Sequence, residues 1–557
     1  MNVQELTLHL KGQGFQPTSH KGSRRLAYVG DFDVCDQSIQ IVLVFPSQYP
    51  SDFPKAYIKG WDTNYDLQKK IGVVNINKDG ELCYIDTDEV WWDSSRYLEF
   101  TQTVIDRIRK ILKQKTTQSI GGDLFIRDFI SYWDGKNIYS RILLTEKKRY
   151  DFQTTENITW LQSGKKKDQS KYFSIQIDTL PIPTDYKYWP PSTLFEFIKW
   201  LEPINFFYKL WLKCLCDKTK ELTIGKTADK SLKIGFVFLF KESNFKTNVP
   251  PIAISFTLNV RLRNALLGRR LKPLKSMSQG IKLRRYSIRQ ADSDFIYGRN
   301  MIEQKSILIN KKIVVIGAGA IGGFLCSQLA CLGAGSGKNG KLIIIDNDIL
   351  KPENIGRHLL GMEYITTSKS ESVHSVLSSN HPDLNIVFFN EQFESVIEQI
   401  QGDLIINATG MQTVGVALEM MKKSHHYPIL HTWIEGQGAC ARTLLNDHKN
   451  HACFRCLWEQ TEHGLYESTI PVLKPGSKVE ITPVGCHQSY FAYPVMAAIK
   501  AATLASDAVI EFFKNSPTPR LRNLIIRKNQ CLNILDENEP PKSTTCPVCQ
   551  SQKVKNS

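Results

Sequence analysis

Hydrophobic and polar positions divide the chain into three patterns. Over residues 1 to about 118, short apolar runs alternate with polar positions, as in IQIVLVF (39–45) and KAYIKG (55–60). That period of two predicts half-buried strands. The same region closes on YLEFTQTVIDRIRKILKQ, where Leu98, Val104, Ile105, Ile108 and Ile111 fall at helical spacing. Residues 119 to about 290 are aromatic-rich, and YFSIQI, IGFVFLF and IAISFTLNV predict strands between basic loops. From 291 to 557 strand and helix patterns alternate, which predicts an α/β, doubly wound fold. Turn-rich TTQSIGGD and MSQGIKLRRYSIRQADSD mark the boundaries, giving domains 1–118, 119–290 and 291–557. A chain of 557 residues exceeds what one core serves, so three domains are expected.

Composition narrows the setting. Hydrophobic residues make up 42% and charged residues 23%, ordinary for a folded soluble protein. No apolar run has the length to span a bilayer, and MNVQELTLHL lacks the basic and apolar segments of a secretory signal. A cytoplasmic protein is expected. Thirteen cysteines in that setting point to metal binding or catalysis rather than disulfides. The net charge of +16 raises a nucleic-acid partner, but the basic residues are scattered. Only GKKKD (164–168) and the stretch from Arg261 to Arg285 cluster, and no nucleic-acid-binding motif accompanies them. Direct nucleic-acid binding is therefore not expected.

The densest chemistry begins at Lys311, in KKIVVIGAGAIGGFLCSQLACLG. Gly317, Gly319 and Gly322 form G-x-G-x-x-G between a β-branched strand and a helix. The first two permit a tight turn and close approach of phosphate to backbone N–H groups, and the third lets helix pack on strand. The next strand ends in Asp346 and Asp348, placed to hold a ribose hydroxyl, as in a dehydrogenase. Asn354, Arg357 and Lys369 follow in order and do not suit one. Cations beside a phosphate loop neutralise a triphosphate whose α-phosphate is attacked.

D-N-D-x-x-x-x-E-N-x-x-R…K after G-x-G-x-x-G resembles the adenylation domain of ubiquitin-activating enzymes and of bacterial sulfur-carrier adenylyltransferases. YGRN (297–300) is similar to that family's Tyr-x-Arg-Gln segment, whose arginine reaches ATP from the opposite protomer of a dimer. The resemblance implies ATP and Mg2+ as cofactors and a homodimer. It implies that Asp346 holds the ribose and that Arg299, Asn354, Arg357 and Lys369 contact phosphates. One departure stands out. Where the family has Asp-x-x-Asp after the fourth strand, the last acid helping to bind magnesium, DLIINATG has Asn407 and Gly410. Either Asp348 and phosphate oxygens hold the ion, or its binding is altered.

Four cysteines pair as CFRC (Cys453, Cys456) and CPVC (Cys546, Cys549), the usual offer of four thiolates to one structural Zn2+. The spacing resembles the zinc site of the sulfur-carrier adenylyltransferases. Cys326 and Cys331, in the helix after the glycine turn, are expected in the core, and Cys440 in a strand. Cys486 lies in ITPVGCHQSYFAYP, ahead of an apolar helix whose start favours thiolate. The resemblance puts the thioester cysteine of activating enzymes at that place.

Cys83, in DGELCYID, is by itself a packing residue or a nucleophile. Pro46, Pro50 and Pro54 precede it, and WWDSSRYLEF follows. This arrangement resembles the core of ubiquitin-conjugating enzymes, which implies an N-terminal α+β domain with Cys83 as its thioester cysteine. The family's His-Pro-Asn is missing. Asn75 or Asn77 stands in for the oxyanion-stabilising asparagine, and Asp86 and Asp88 for acids that deprotonate an amine. The whole order of domains is similar to the single-chain ligases of CBASS anti-phage operons, the α+β linker domain 119–290 matching by position only. That resemblance implies transfer of the C-terminus of a cGAS-like nucleotidyltransferase through Cys486 and Cys83 to a lysine or other amine of an acceptor protein. The rivals are conjugation of a separate ubiquitin-like modifier, an NAD-dependent oxidoreductase, and a non-catalytic scaffold.

Overall fold

The computed structural model describes the chain except residues 1, 21–24, 35–36, 62, 72–75, 78, 86–92, 118–128, 143, 145–147, 156–157, 164–171, 178–188, 225–230, 241–248, 270–273, 304–305, 426, 449–450, 462–465, 478–481, 484–488, 491, 517–518, 534, 538 and 551–557. It forms two compact units, Met1–Asp292 and Ser293–Ser557.

In the first unit, β1 (Gln16–Thr18), β2 (Ala27–Val34), β3 (Gln37–Val44), β4 (Lys55–Ile58) and β5 (Glu81–Leu82) make an antiparallel sheet in chain order. Its inward residues, Ile39, Ile41 and Leu43 among them, share one core with Leu6 and Leu10 of the helix Val3–Gly12 and with the long helix Tyr97–Thr117. That long helix buries Phe100, Val104, Ile105, Ile108 and Leu112, a stripe at the helical period. The proline turn is tied to it. Tyr49 donates its hydroxyl to the Tyr97 carbonyl at 2.9 Å and shares a 2.6 Å bond with Thr101, and burial pushes its pKa up to about 12.

The middle segment closes into a barrel of seven strands: β6 (Lys136–Ser140), β7 (Arg149–Thr155), β8 (Ile158–Ser163), β9 (Tyr172–Ile177), β10 (Leu232–Phe240), β11 (Ile252–Leu258) and β12 (Arg284–Gln290). The order is β10-β11-β12-β6-β8-β7-β9, and a parallel β9–β10 pairing closes the ring. Strand alternation sends Val237 and Ala253 inward with Tyr172 and Tyr286, while Ile234, Phe236 and Phe238 pack outward under Phe197 and Trp211 of two helices. A Cβ on Gly235 would lie 2.3 Å from the Tyr172 ring, so this wall position holds only glycine.

The second unit is a seven-stranded sheet of order β15-β14-β13-β16-β17-β18-β23. Its members are β13 (Lys312–Ile316), β14 (Lys341–Ile345), β15 (Ile386–Phe389), β16 (Leu404–Asn407), β17 (Ile429–Glu435), β18 (Cys440–Asn446) and β23 (Leu521–Ile525). Two short ladders intervene, β19 (Trp458–Gln460) with β20 (Tyr466–Ser468) and β21 (Thr482–Pro483) with β22 (Ser489–Tyr490). β13 to β17 are parallel, and β18 and β23 run antiparallel. Unbroken apolar runs such as LIII (342–345) and LII (404–406) are buried on both faces, as helix-covered parallel strands require. The first strand lies between the second and the fourth. This is a topological switch point, where open α/β sheets bind ligands at the strands' carboxyl ends. No described helix is long and apolar enough to cross a membrane.

Candidate adenylation site and cysteine centres

A cavity of about 690 Å³ opens at that switch point, lined by Gly317, Gly319, Asp346, Asp348, Lys369, Thr409 and Gly410 among others. Its floor is built by the glycine turn. Gly317 holds φ +93, and a Cβ there would lie 3.0 Å from the Thr409 nitrogen. A Cβ on Gly322 would lie 1.7 Å from the Gly317 carbonyl oxygen, so helix and turn touch at that point. Gly319 has open space instead. The helix Ala320–Cys331 starts there without a side-chain cap, and Ala320 and Ile321 line the cavity. An uncapped helix start beside bare backbone is an anion site.

Asp346 supports the turn directly. The Ala318 N–H donates to Oδ2 at 2.6 Å and the Asp348 N–H to Oδ1 at 2.8 Å. Burial nevertheless pushes the Asp346 carboxyl upward. Asp348 is half exposed and pairs with the buried Lys369 ammonium. Burial presses its pKa up, but the Lys369 hydrogen bond and charge prevail and hold it below the usual carboxylate range. Behind the turn, buried His358 donates from Nε2 to the Ala318 carbonyl at 2.8 Å and accepts the Leu360 N–H at Nδ1, 3.1 Å. Burial lowers its pKa to about 4, so the ring stays neutral.

The other predicted phosphate contacts lie outside the lining. Asn354 Oδ1 accepts the Lys351 N–H at 3.0 Å, closing the turn Pro352–Arg357. The Arg357 guanidinium sits 4.9 Å from the ring centre of Tyr493, which does line the cavity. Arg299 is exposed, 5.6 Å from the Phe295 ring centre. Sequence reasoning passed over Glu391, Gln392, Met411, Gln437 and Tyr493, all cavity-lining. The first four follow the carboxyl ends of β15, β16 and β17, so the switch-point rule was the available signal.

Asn407 is buried and hydrogen-bonded, its Nδ2 3.2 Å from His431 Nδ1. Gly410 faces the cavity at φ +69. The acids of the cavity are thus Asp346, Asp348, Glu391 and Glu394. Asp348, half exposed and ionised, has the donor chemistry for magnesium.

Cys83 is exposed between buried Leu82 and Tyr84. Leu82 pairs with Ala56 and bridges Ile76, and Tyr84 donates its hydroxyl to the Pro54 carbonyl. Cys83 follows the end of β5, and with both neighbours anchored inward its side chain is left on the outside. Gly80 makes the preceding turn at φ +86, its Cα packed where a Cβ would lie 2.7 Å from Trp61. Asn77 donates its N–H to the Glu81 carbonyl at 2.8 Å. Asn75, Asp86, Asp88 and Cys486 lie outside the described residues; the β21–β22 ladder flanks residues 484–488 in sequence.

Cys453, Cys456, Cys546 and Cys549 converge, with all sulfurs within 4.8 Å of one another. Neighbouring pairs stand at 3.6 to 3.7 Å. Zn–S bonds of about 2.3 Å at tetrahedral angles require roughly 3.8 Å, so the set fits one zinc ion. Of the remaining cysteines, Cys326 is fully buried and Cys440 lies buried in β18. Cys331 is exposed, which corrects its expected place in the core. It is the last residue of its helix, where the buried stripe has ended.

Two separate family models match, one within the first unit and one across the sheet unit. The ThiF family model matches residues 296–548, and the prokaryotic E2 family B model matches residues 4–140. An ATP-dependent ubiquitin transferase-like protein Cap2 from Pseudomonas aeruginosa is 29% identical over 370 residues, 65% of this chain and 62% of that protein. A Cap2 from Vibrio cholerae is 24% identical, covering 92% of this chain and 94% of its own. A SAMP-activating enzyme E1 from Haloferax volcanii is 26% identical across 40% of this chain and 84% of its own. Among solved structures, Escherichia coli MccB with ATP is 16% identical with a TM-score of 0.34, covering 44% of this chain and 67% of its own. The protein is therefore an E2-like domain joined on one chain to an E1-like, ThiF-type adenylation domain. The chain is similar to the Cap2 proteins of CBASS systems, which are named ATP-dependent ubiquitin transferase-like, and it spans 62% of the length of the first of them.

Proposed function

We propose that this enzyme adenylates the C-terminal carboxylate of a cGAS-like nucleotidyltransferase and conjugates it to an amine of an acceptor protein. The carboxylate oxygen attacks the α-phosphorus of ATP and pyrophosphate leaves. The Cys486 thiolate attacks the acyl carbon and AMP leaves. Cys83 takes the acyl group by transthiolation, and the acceptor's amine then displaces the Cys83 thiolate. The backbone N–H groups at Gly317–Gly319 and Lys369 hold the phosphates, Asp346 the ribose, and Asp348 a magnesium ion, which supplies charge neutralisation to the triphosphate. Arg357, Asn354 and a partner protomer's Arg299 complete the phosphate contacts in a homodimer. Zinc on the four thiolates is structural.

The observation that carries this reading is the exposed cysteine, Cys83, held between two anchored neighbours on an E2-like sheet, on one chain with a ThiF-type cavity. A thioester keeps an acyl group activated, and a relay needs a thiol in reach of solvent.

The test is non-reducing gel electrophoresis of the wild type, Cys83→Ala and Cys486→Ala after incubation with ATP, magnesium and the nucleotidyltransferase. A thiol-sensitive adduct in wild type and Cys83→Ala, lost in Cys486→Ala, supports the relay. An adduct that survives Cys486→Ala refutes that cysteine's role. An adduct formed only with a separate ubiquitin-like protein replaces the carried substrate. No adduct, with NAD rather than ATP raising Tm, refutes the ligase.

A further inference from the structure

Four polar side chains lie buried between the nucleotide cavity and the thiolate cluster: Asn407, Glu419, His431 and Asn446, each 4% exposed or less. Burying such groups is costly unless each finds a partner. Strand register sets Asn407 at the end of β16 opposite His431 on β17. Glu419 comes from the helix Gln412–His425.

The hydrogen bonds fix one orientation. Asn407 Oδ1 accepts both the Thr409 N–H (3.2 Å) and the Thr409 hydroxyl (2.8 Å). Its Nδ2 therefore faces His431 and donates to Nδ1 at 3.2 Å. The ring's proton sits on Nε2 and goes to Glu419 Oε1 at 3.1 Å. The same oxygen accepts the Phe454 N–H at 3.0 Å, and Oε2 accepts from Asn446 at 2.7 Å.

The two ends of this relay matter. Thr409 lines the cavity and abuts Gly317 of the phosphate turn. Phe454 lies between Cys453 and Cys456, and its ring stacks on His431 at 4.6 Å. We infer that His431 and Glu419 are positioning residues that couple the thiolate cluster to the phosphate turn. A zinc-loaded cluster fixes the Phe454 N–H, which seats Glu419, orients His431 and holds Asn407 and Thr409 under Gly317. Coupling of this kind is reciprocal in binding free energy, so bound nucleotide tightens zinc by the factor that zinc tightens nucleotide, and the tighter metal leaves more slowly. This inference rests on the reading that the cavity takes ATP and the four thiolates take zinc.

The full-length zinc protein is mixed with excess chelator and zinc release is followed by a colorimetric indicator, with and without saturating AMPCPP and magnesium. AMPCPP affinity is measured separately by calorimetry. The wild type is expected to lose zinc at least fivefold more slowly with nucleotide, within the usual range of coupling. His431→Phe keeps the ring stack and deletes both hydrogen bonds. It is expected to retain one zinc per chain, to bind AMPCPP at least fivefold more weakly, and to lose zinc at a rate nucleotide no longer changes. If His431→Phe does not fold, the two wild-type arms decide the coupling. A wild type that binds AMPCPP yet loses zinc at one rate overturns the coupling and leaves the adenylation reading standing. A wild type that binds no AMPCPP overturns both. Wild-type coupling in folded His431→Phe overturns the relay.

Discussion

The glycines of the phosphate turn separate packing from ligand approach. Alanine at 322 drives its Cβ to 1.7 Å from the Gly317 carbonyl oxygen. Ordinary carbon–oxygen contacts lie near 3.3 Å, so turn and helix must part by roughly 1.5 Å. Overpacking of that kind costs about 1–3 kcal/mol, or a Tm drop of about 2–12 °C in a unit of this size. Alanine at 319 meets no atom within 4 Å and sits at φ −74. Its effect on stability is within about 0.5 kcal/mol, and its methyl stands where a phosphate approaches the backbone. Gly319→Ala is thus expected to keep the wild-type Tm and weaken AMPCPP at least tenfold, about 1.4 kcal/mol. Thermal unfolding and calorimetry on both variants decide it. Gly319→Ala binding AMPCPP within twofold of wild type refutes the phosphate's approach at that residue. An unchanged Tm in Gly322→Ala refutes the helix–turn contact.

Acid should loosen the same turn through His358. Its folded pKa, about 4, lies below the unfolded 6.5, so its contribution is full above pH 6.5 and is lost as pH falls toward 4, about 3 kcal/mol in all; urea unfolding at pH 7.5 and 4.5 should show this loss in wild type, and an equal loss in His358→Gln counts against it. Lys369→Met keeps the buried stem but leaves Asp348 without its cation, and ATP–pyrophosphate exchange should fall about 100-fold while Tm holds; a rate within threefold of wild type refutes the phosphate role. Asn75→Ala and Asn77→Ala are to be compared in discharge of the Cys83 thioester to an amine. The residue that supports the oxyanion lowers discharge about 100-fold without lowering thioester loading, and two wild-type rates exclude both.

What the sequence made legible is what local chemistry dictates. Strand, glycine turn and acid-ended strand read directly because Gly317 and Gly322 satisfy backbone constraints within a few residues of each other. The pairs Cys453/Cys456 and Cys546/Cys549 were also readable, although their meeting depends on the chain's return through β23 to a short helix, Pro547–Gln550, against the helix Gln412–His425. The barrel was not readable. Its strands follow from local pattern, but its closure rests on parallel pairings of β9 with β10 and β6 with β12, between distant segments. Asn354 and Arg357 read as phosphate ligands by order alone, whereas their hydrogen-bond and ring contacts depend on how the turn Pro352–Arg357 and the segment before Val495 pack.

The two departures from the family's acidic pattern differ in physical kind. Asn407 is a buried structural amide. Its Oδ1 accepts the Thr409 N–H and hydroxyl, and its Nδ2 donates to His431 Nδ1, whose other nitrogen faces Glu419. An aspartate there would meet Nδ1 as a second acceptor and would pair with the ring only if Nδ1 carried a proton. Gly410 is the opposite case. It faces open cavity at φ +69 with nothing within 4 Å of a Cβ, a left-handed conformation glycine adopts freely and aspartate tolerates. Position 407 is a buried partner of His431, whereas position 410 is an open place in the cavity wall. Of the two acids that follow β14, each accepts a hydrogen bond at both oxygens, but Asp346 is the more buried, whereas Asp348, held ionised by Lys369, is half exposed and has an outward face for a cation.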